Sequence, residues 1–345
     1  MSKHFFAVGL GIGTKNAKGN WLEVYYPKPL LKPDHALCAR LAEVAGDMAG
    51  AATLELDRTL LARLVSAFES AGHDEQAQLA RACTESVKPV VLTLLEADAQ
   101  PTSTPEAWLK LHLLSHRLVQ PHGVNLSGIF PLLPNVAWTS EGAIDLEELP
   151  QRQFAARLRG EALTVHSVDK FPRMTDFVVP AGVRIADASR VRLGAYLGEG
   201  TTVMHEGFVN FNAGTAGTSM VEGRISAGVF VGKGSDIGGG ASTMGTLSGG
   251  GNIVIRLGEG CLLGANSGVG IPLGDKCTVE AGLYITAGTK CLLLDDKGQP
   301  AGTVKARELA GKSHLLFRRN STNGAVECLT NKSAVELNAE LHKHN

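Results

Sequence analysis

Glu222 stands in the run Met220-Val221-Glu222-Gly223-Arg224, a carboxylate beside glycine with a guanidinium two positions on. Such a carboxylate can take a proton from an amine, and burial would raise its pKa towards the range of a working base. His205, the only histidine between 179 and 290, is the rival base. Lys305, Arg318 and Arg319, followed by Asn320 and Ser321, could pair with phosphate. Each group also has a plain structural reading. An isolated Glu is usually a solvated corner residue, a single His usually packs, and a basic stretch is usually a solvated stripe.

The elements that must position these residues show a period of six. Aliphatic residues start at 179, 185, 191, 197, 203 and 209, then at 225, 231 and 237, at 257 and 263, and at 273, 279 and 285. Neither a helix nor an ordinary strand has this period; it is the hexapeptide signature of a parallel β-helix. Three hexads close one triangular coil with the aliphatic side chain inward, and coils of this type wind left-handed. The stretch 179–290 predicts about six coils, a prism roughly 30 Å long at ~4.8 Å per coil. Glycine concentrates there: 23 of the 41 glycines lie in 201–300, which puts a domain boundary near 170–179. Three irregularities interrupt the repeat, at 209–225, at 237–257 and at Pro272, and the first two are expected to be loops leaving the prism.

Upstream, the pattern predicts an α/β domain over 1–172. Strands are expected at 4–13 and 21–26, and helices at 58–71, 74–83, 87–97 and 106–118, with Thr104 as N-cap and Pro105 at N1 of the last. The β-helix is assigned to 173–296 and a small cap to 297–345, with a turn at 295–298 and a short polar helix at the end. Lys plus Arg number 33 against 34 Asp plus Glu, a net charge of −1, which argues against a nucleic-acid footprint or a polybasic membrane patch. The six cysteines form no CxxC pair, the first residues lack a signal-peptide pattern, and no apolar run suits a membrane span. A cytoplasmic protein is expected.

Six runs carry more specific information: LHLLSHRLV (111–119), MHEGFVNFNAG (204–214), MVEGRISAG (220–228), GTLSGGG (245–251), GANSG (264–268) and LFRRNS (316–321). They resemble the tetrahydrodipicolinate N-succinyltransferases, in the longer subclass with a large N-terminal domain. The resemblance implies a homotrimer that moves a succinyl group from succinyl-CoA to the amine of ring-opened tetrahydrodipicolinate (2-amino-6-oxopimelate), in lysine and diaminopimelate biosynthesis. It also implies Glu222 as the catalytic carboxylate. CoA contacts are implied for Arg224, Gly239, Ser242, Ala265, Glu280, Ala281, Gly288, Lys305, Arg318, Arg319, Asn320 and Ser321. Glu206 matches a position that can carry Mg2+ at a subunit junction, although Ser189 stands where an acidic partner is expected. Arg184 and Arg192 are candidates for the acceptor's carboxylates.

Other functions on this scaffold make different demands. A zinc hydratase on this scaffold needs three coil histidines, and 179–290 offers one. An acyltransferase for another amine, and a non-catalytic β-helix subunit, are the alternatives. His112 and His116 lack a third metal ligand at sensible spacing, and the fragments 121–125 and 168–172 carry no assigned chemistry.

Overall fold

The computed structural model describes residues 4–46, 52–245 and 253–330. They form two compact units, one from 4–113 and 124–172, the other from 114–123 and 173–330. The segment 114–123 thus belongs with the coil, although the sequence reading placed it in the N-terminal domain.

In the first unit an antiparallel sheet runs in the order Trp21–Tyr25, Ala7–Lys15, Val90–Leu95, Ala52–Glu55. Helices His35–Ala45, Arg58–Ser70 and Asp74–Ala82 share a core with this sheet, built around Leu37, Leu41, Leu64, Phe68 and Leu92. The helix expected at 87–97 is instead the strand Val90–Leu95, every residue of which is buried. A central strand covered on both faces loses the alternation that marks strands in sequence, so its apolar run imitated a helix. The helix Thr104–Ser115 starts one residue earlier than expected. The Ser103 carbonyl accepts from the Ala107 N–H and its hydroxyl oxygen from the Glu106 N–H, so Ser103 is the N-cap; buried Glu106 accepts in turn from the Thr102 N–H and from the Ser103 and Thr102 hydroxyls. No described helix is long and apolar enough to cross a membrane.

The second unit is a parallel β-helix. Its short strands stack in three sheets: four strands from Ala195–Leu197 to Arg256–Leu257, five from Phe208–Val209 to Tyr284–Ile285, and a third that climbs from Arg184–Ile185 through Thr278–Val279. In the third sheet the strand Leu315–Arg319 adds on after Thr278–Val279, so the expected C-terminal cap continues the coil. Inward side chains stack in columns: Val203, Val221, Ile237, Leu263, Val279 and Phe317 on one side, Val209, Ile225, Thr243, Val269 and Ile285 on the next, and Leu197, Thr215, Val231, Leu257 and Leu273 on the third. All are 2% exposed or less. Each aliphatic member contributes roughly 1.5–3 kcal/mol by burial.

The register corrects the reading of 209–225. No loop leaves the prism there: Thr215 and Val221 occupy the next two inward positions, and the anomaly is a side of only four residues, Val221 to Ile225. Thr215 escaped the aliphatic pattern because it is a hydroxyl residue, buried with its Oγ1 2.6 Å from that of Thr201. The same shortening recurs from Val269 to Leu273, around Pro272. At the first short corner the N–H groups of both Glu222 and Gly223 donate to the Ile237 carbonyl, at 2.8 and 3.1 Å. A Cβ on Gly223 would collide with the Ala241 carbonyl oxygen. In the second interruption, 246–252 lies outside the described residues, as does the polar helix expected in 331–345.

Two outcomes follow. Gly223→Ala should cost about 1–3 kcal/mol of stability in a denaturant titration, since the neighbouring backbone must shift. Asp34→Ala should cost about 1 kcal/mol at neutral pH, because Asp34 accepts the Leu37 N–H as helix N-cap. That bond, then the one with His73, holds the Asp34 carboxyl below its ordinary 3.8. Its contribution is therefore present above that value and lost as pH falls through the depressed native pKa. The difference between wild type and Asp34→Ala should vanish in strong acid.

Candidate functional site

Parallel in-register pairing fixes which corner residues lie above one another. Val221, Ile237, Leu263, Val279 and Phe317 are successive partners in one sheet. The residues just after them therefore share one edge of the prism: Glu222, then Gly238-Gly239, Gly264-Ala265, Glu280-Ala281, and Arg318-Arg319. Four steps of ~4.8 Å separate Glu222 from the arginine pair, roughly 19 Å in all. Of the residues predicted from sequence, Glu222, Gly239, Ala265, Glu280, Ala281, Arg318 and Arg319 are all brought onto this edge.

The middle of the edge is bare backbone. The N–H groups of Gly239, Ala265 and Ala281 donate to no described residue, while the carbonyls of Gly239 and Ala265 accept from Asn266 and Gly282, one coil further along. A row of free amides beside small side chains suits an extended amide-rich ligand laid along the edge. At one end, Glu222 is half-buried, and its Oε2 lies 3.7 Å from where a Gly239 Cβ would stand. Its carboxylate has no side-chain hydrogen bond or ion pair among the described residues, so it is available to a ligand.

At the other end, Glu280 accepts from the Arg319 N–H at 2.6 Å, tying the last hairpin to the edge. The Arg318 Nε donates to Glu327 at 2.8 Å, and the Asn320 Nδ2 donates to the other oxygen of Glu327 at 2.8 Å. These two bonds, Asn320 first, pull the Glu327 carboxyl below the usual carboxylate range. Ser321 is exposed in the turn that follows. Gly288 and Lys305 fall at the next corner, where the N–H groups of Ala306 and Arg307 donate to the Thr289 and Ala287 carbonyls. Lys305 is exposed there.

Arg224 lies on the adjoining face, its Nε and Nη2 donating to the Ser242 hydroxyl at 3.1 and 2.6 Å. It opens onto a groove of about 500 Å3 lined also by His122, Phe208, Asn210, Asn212 and Ser226. None of these five was assigned a role from sequence. Phe208, Asn210 and Asn212 lie in the run 204–214 and Ser226 in the run 220–228, while His122 lies in the Pro121-His122-Gly123-Val124-Asn125 fragment; its Nε2 is 2.7 Å from the Gly228 carbonyl and its N–H donates to Asn212. Arg192 meets the groove wall through Asn210, at 3.2 Å, and packs on the Phe208 ring. Arg184 is exposed in the first rung of the third sheet, away from this groove's lining.

His205 and Glu206 sit at the same corner as Glu222, one coil earlier. Their side chains are open to solvent and 3.4 Å apart, and Arg190 bonds both carbonyls and approaches the Glu206 carboxylate at 3.4 Å. With a guanidinium on one oxygen and an imidazole on the other, Glu206 is a poor divalent-cation ligand within a single chain. Among the described residues no three His, Cys, Asp or Glu form a metal-binding group. His112 is fully buried with both ring nitrogens engaged, by the Trp108 carbonyl and the Tyr26 N–H, so it serves the core.

Comparison with known proteins shows what the chain as a whole is similar to. Residues 133–173 fit the model for the middle region of tetrahydrodipicolinate N-succinyltransferase, and 254–287 fit the hexapeptide repeat of succinyl-transferase. The 2,3,4,5-tetrahydropyridine-2,6-dicarboxylate N-succinyltransferases of Pseudomonas putida and Pseudomonas aeruginosa are each 65% identical over the whole of both chains. That of Vibrio cholerae is 60% identical over 99% of both. A Campylobacter jejuni crystal structure, described as a 2,3,4,5-tetrahydropyridine-2-carboxylate N-succinyltransferase, superposes with a TM-score of 0.88 at 35% identity, covering 97% of this chain and 94% of that one. With a β-helix of hexapeptide coils and full-length identity at this level, the chain belongs to the tetrahydrodipicolinate N-succinyltransferase family.

Proposed function

We propose that this chain transfers the succinyl group of succinyl-CoA to the amine of ring-opened tetrahydrodipicolinate, 2-amino-6-oxopimelate, with Glu222 as the catalytic carboxylate. The observation that carries the reading is the single edge on which an unpaired carboxylate, a row of free amides and a pair of arginines follow one another.

Along that edge the pantetheine arm hydrogen-bonds to the N–H groups of Gly239, Ala265 and Ala281, and its thioester reaches Glu222. Arg318 and Arg319, with Asn320, Ser321 and Lys305, take the phosphates. Glu280 holds the Arg319 end of the edge in place, and Gly288 keeps the next corner open beside Lys305. Glu222 removes the proton from the acceptor's ammonium so that the amine can attack the thioester carbonyl. The C–N bond forms, the C–S bond breaks, and the further proton that the nitrogen loses on acylation goes to the sulfur, so that CoA leaves as the thiol. Arg224, freed from Ser242, is placed to meet the succinyl carboxylate or the thioester oxygen, where charge develops.

The coil is read as left-handed, in keeping with its hexapeptide repeat, and the working unit as a cytoplasmic homotrimer. A solvent-facing Glu222 corner and an open groove beside Arg224 call for a neighbouring chain to close the site. A Mg2+ ion at Glu206 would have to draw its remaining ligands from neighbouring subunits, and no step here depends on it.

Release of CoA thiol from succinyl-CoA, with and without the amino-dicarboxylate acceptor and beside an acetyl-CoA control, tests the reaction. Acceptor-dependent release favouring the succinyl donor is expected, and no release from a folded oligomer would refute the assignment. Glu222→Gln should lower kcat by about a hundred- to ten-thousandfold with CoA binding largely retained. Unchanged turnover would leave Glu222 outside the chemistry. In analytical ultracentrifugation the active species should sediment as a trimer, and an active monomer would exclude a site between subunits.

A further inference from the structure

Glu327 lies outside every motif that pointed to CoA. It is nevertheless only 4% exposed, and its two oxygens are spent on two different residues of the arginine end. Oε2 accepts from the Arg318 Nε and Oε1 from the Asn320 Nδ2, both at 2.8 Å. The strands Leu315–Arg319 and Val326–Thr330 pair antiparallel, with Glu327 directly opposite Arg318. One carboxylate thus spans the hairpin and fixes both side chains.

The way Arg318 is held matters. The bond uses Nε alone, and the terminal Nη1 and Nη2 make no hydrogen bond to any described residue. Half the side chain remains solvent-exposed, 45%, while its root is anchored to a buried anion. A guanidinium gripped at Nε presents its outer edge in one orientation, the geometry that bidentate phosphate recognition requires. Asn320 is tied the same way: Nδ2 goes to Glu327, and Oδ1 accepts from the Thr322 and Asn323 N–H groups at 2.9 and 3.3 Å. Without Glu327, a long cationic side chain would sample many rotamers and lose their entropy on binding.

We infer that Glu327 is a positioning residue for the nucleotide end of the acyl donor: it aims Arg318 and Asn320 at a phosphate and touches neither the ligand nor the reacting atoms. This rests on the reading of the edge as the CoA track. It extends that reading by assigning donor affinity to a residue that contributes no positive charge and would, by charge alone, repel the ligand.

The test compares two donors on the full-length oligomer, succinyl-CoA and succinyl-pantetheine, which lacks the nucleotide and its phosphates. Glu327→Gln should raise the KM for succinyl-CoA by about tenfold, as expected when a charge-assisted bond is lost, with kcat little changed. The kinetic constants for succinyl-pantetheine should stay as in wild type. A merely structural role would degrade both donors alike, and that result would overturn the inference. Adding Glu327→Gln to the double variant Arg318→Ala, Asn320→Ala should raise the succinyl-CoA KM no further, because both residues to be aimed are gone; an additive effect would also count against it. If Glu327→Gln does not fold, Asn320→Ala, which removes one of the two groups that Glu327 holds, should raise the same KM selectively. Failure of that selectivity would again overturn the inference. The underlying reading has its own signature: a wild-type enzyme that uses both donors equally well would show that the arginine end is not the phosphate site at all.

Discussion

Everything functional in this molecule depends on the hydrogen-bond ladder between successive coils. Parallel strands in register give each residue a fixed neighbour directly above and below, and the inward columns from Val203 to Phe317 hold that register by burial. A slip of one residue would turn an aliphatic column outward, so the stacking is strongly specified. Residues far apart in sequence become equally spaced points on an edge. Glu222 and Arg319 are nearly a hundred positions apart, yet the ladder makes their separation a matter of counting rungs.

The edge is also graded in charge. An unpaired carboxylate occupies one end, neutral backbone the middle, and guanidinium groups the far end. Glu280 adds a second carboxylate to the edge, and it accepts the Arg319 N–H at the start of the guanidinium end. On the proposed reading, a ligand with an anionic nucleotide, an amide-rich arm and a thioester would lie along the edge with its nucleotide at the arginine end. Directional selectivity comes from where the charges stand rather than from a deep pocket, as befits a prism filled by its own side chains.

The sequence disclosed the coil readily because an aliphatic residue every sixth position has no other common explanation. It was silent wherever the inward residue was a hydroxyl. Thr215 and Thr243 interrupt the pattern, and the first of these made a shortened corner look like a departing loop. The strand Val90–Leu95 was misread for the opposite reason, being apolar on both faces. Glu222 and the arginine tail were legible through family-like runs. Glu327 was not, since its link to Arg318 and Asn320 exists only once the hairpin folds back. His122 was noticed as a motif, but its bonds to Asn212 and Gly228 span 90 and 106 residues, beyond any local pattern.

The segment 114–123 bears on how this unit can be inherited. Ser115 bonds the Ala195 carbonyl and N–H of Gly194, Arg117 takes the Leu197 and Ala181 carbonyls, and His122 reaches Gly228. Ten residues encoded well before the coil therefore form part of its wall. A gene fragment beginning at Arg173 would carry the hexads but leave those carbonyls facing water, and would lack His122 in the groove. The coil unit is thus not a portable cassette. Recombination that exchanges the N-terminal region must carry this clasp along with it, which ties the histories of the two parts of the chain together.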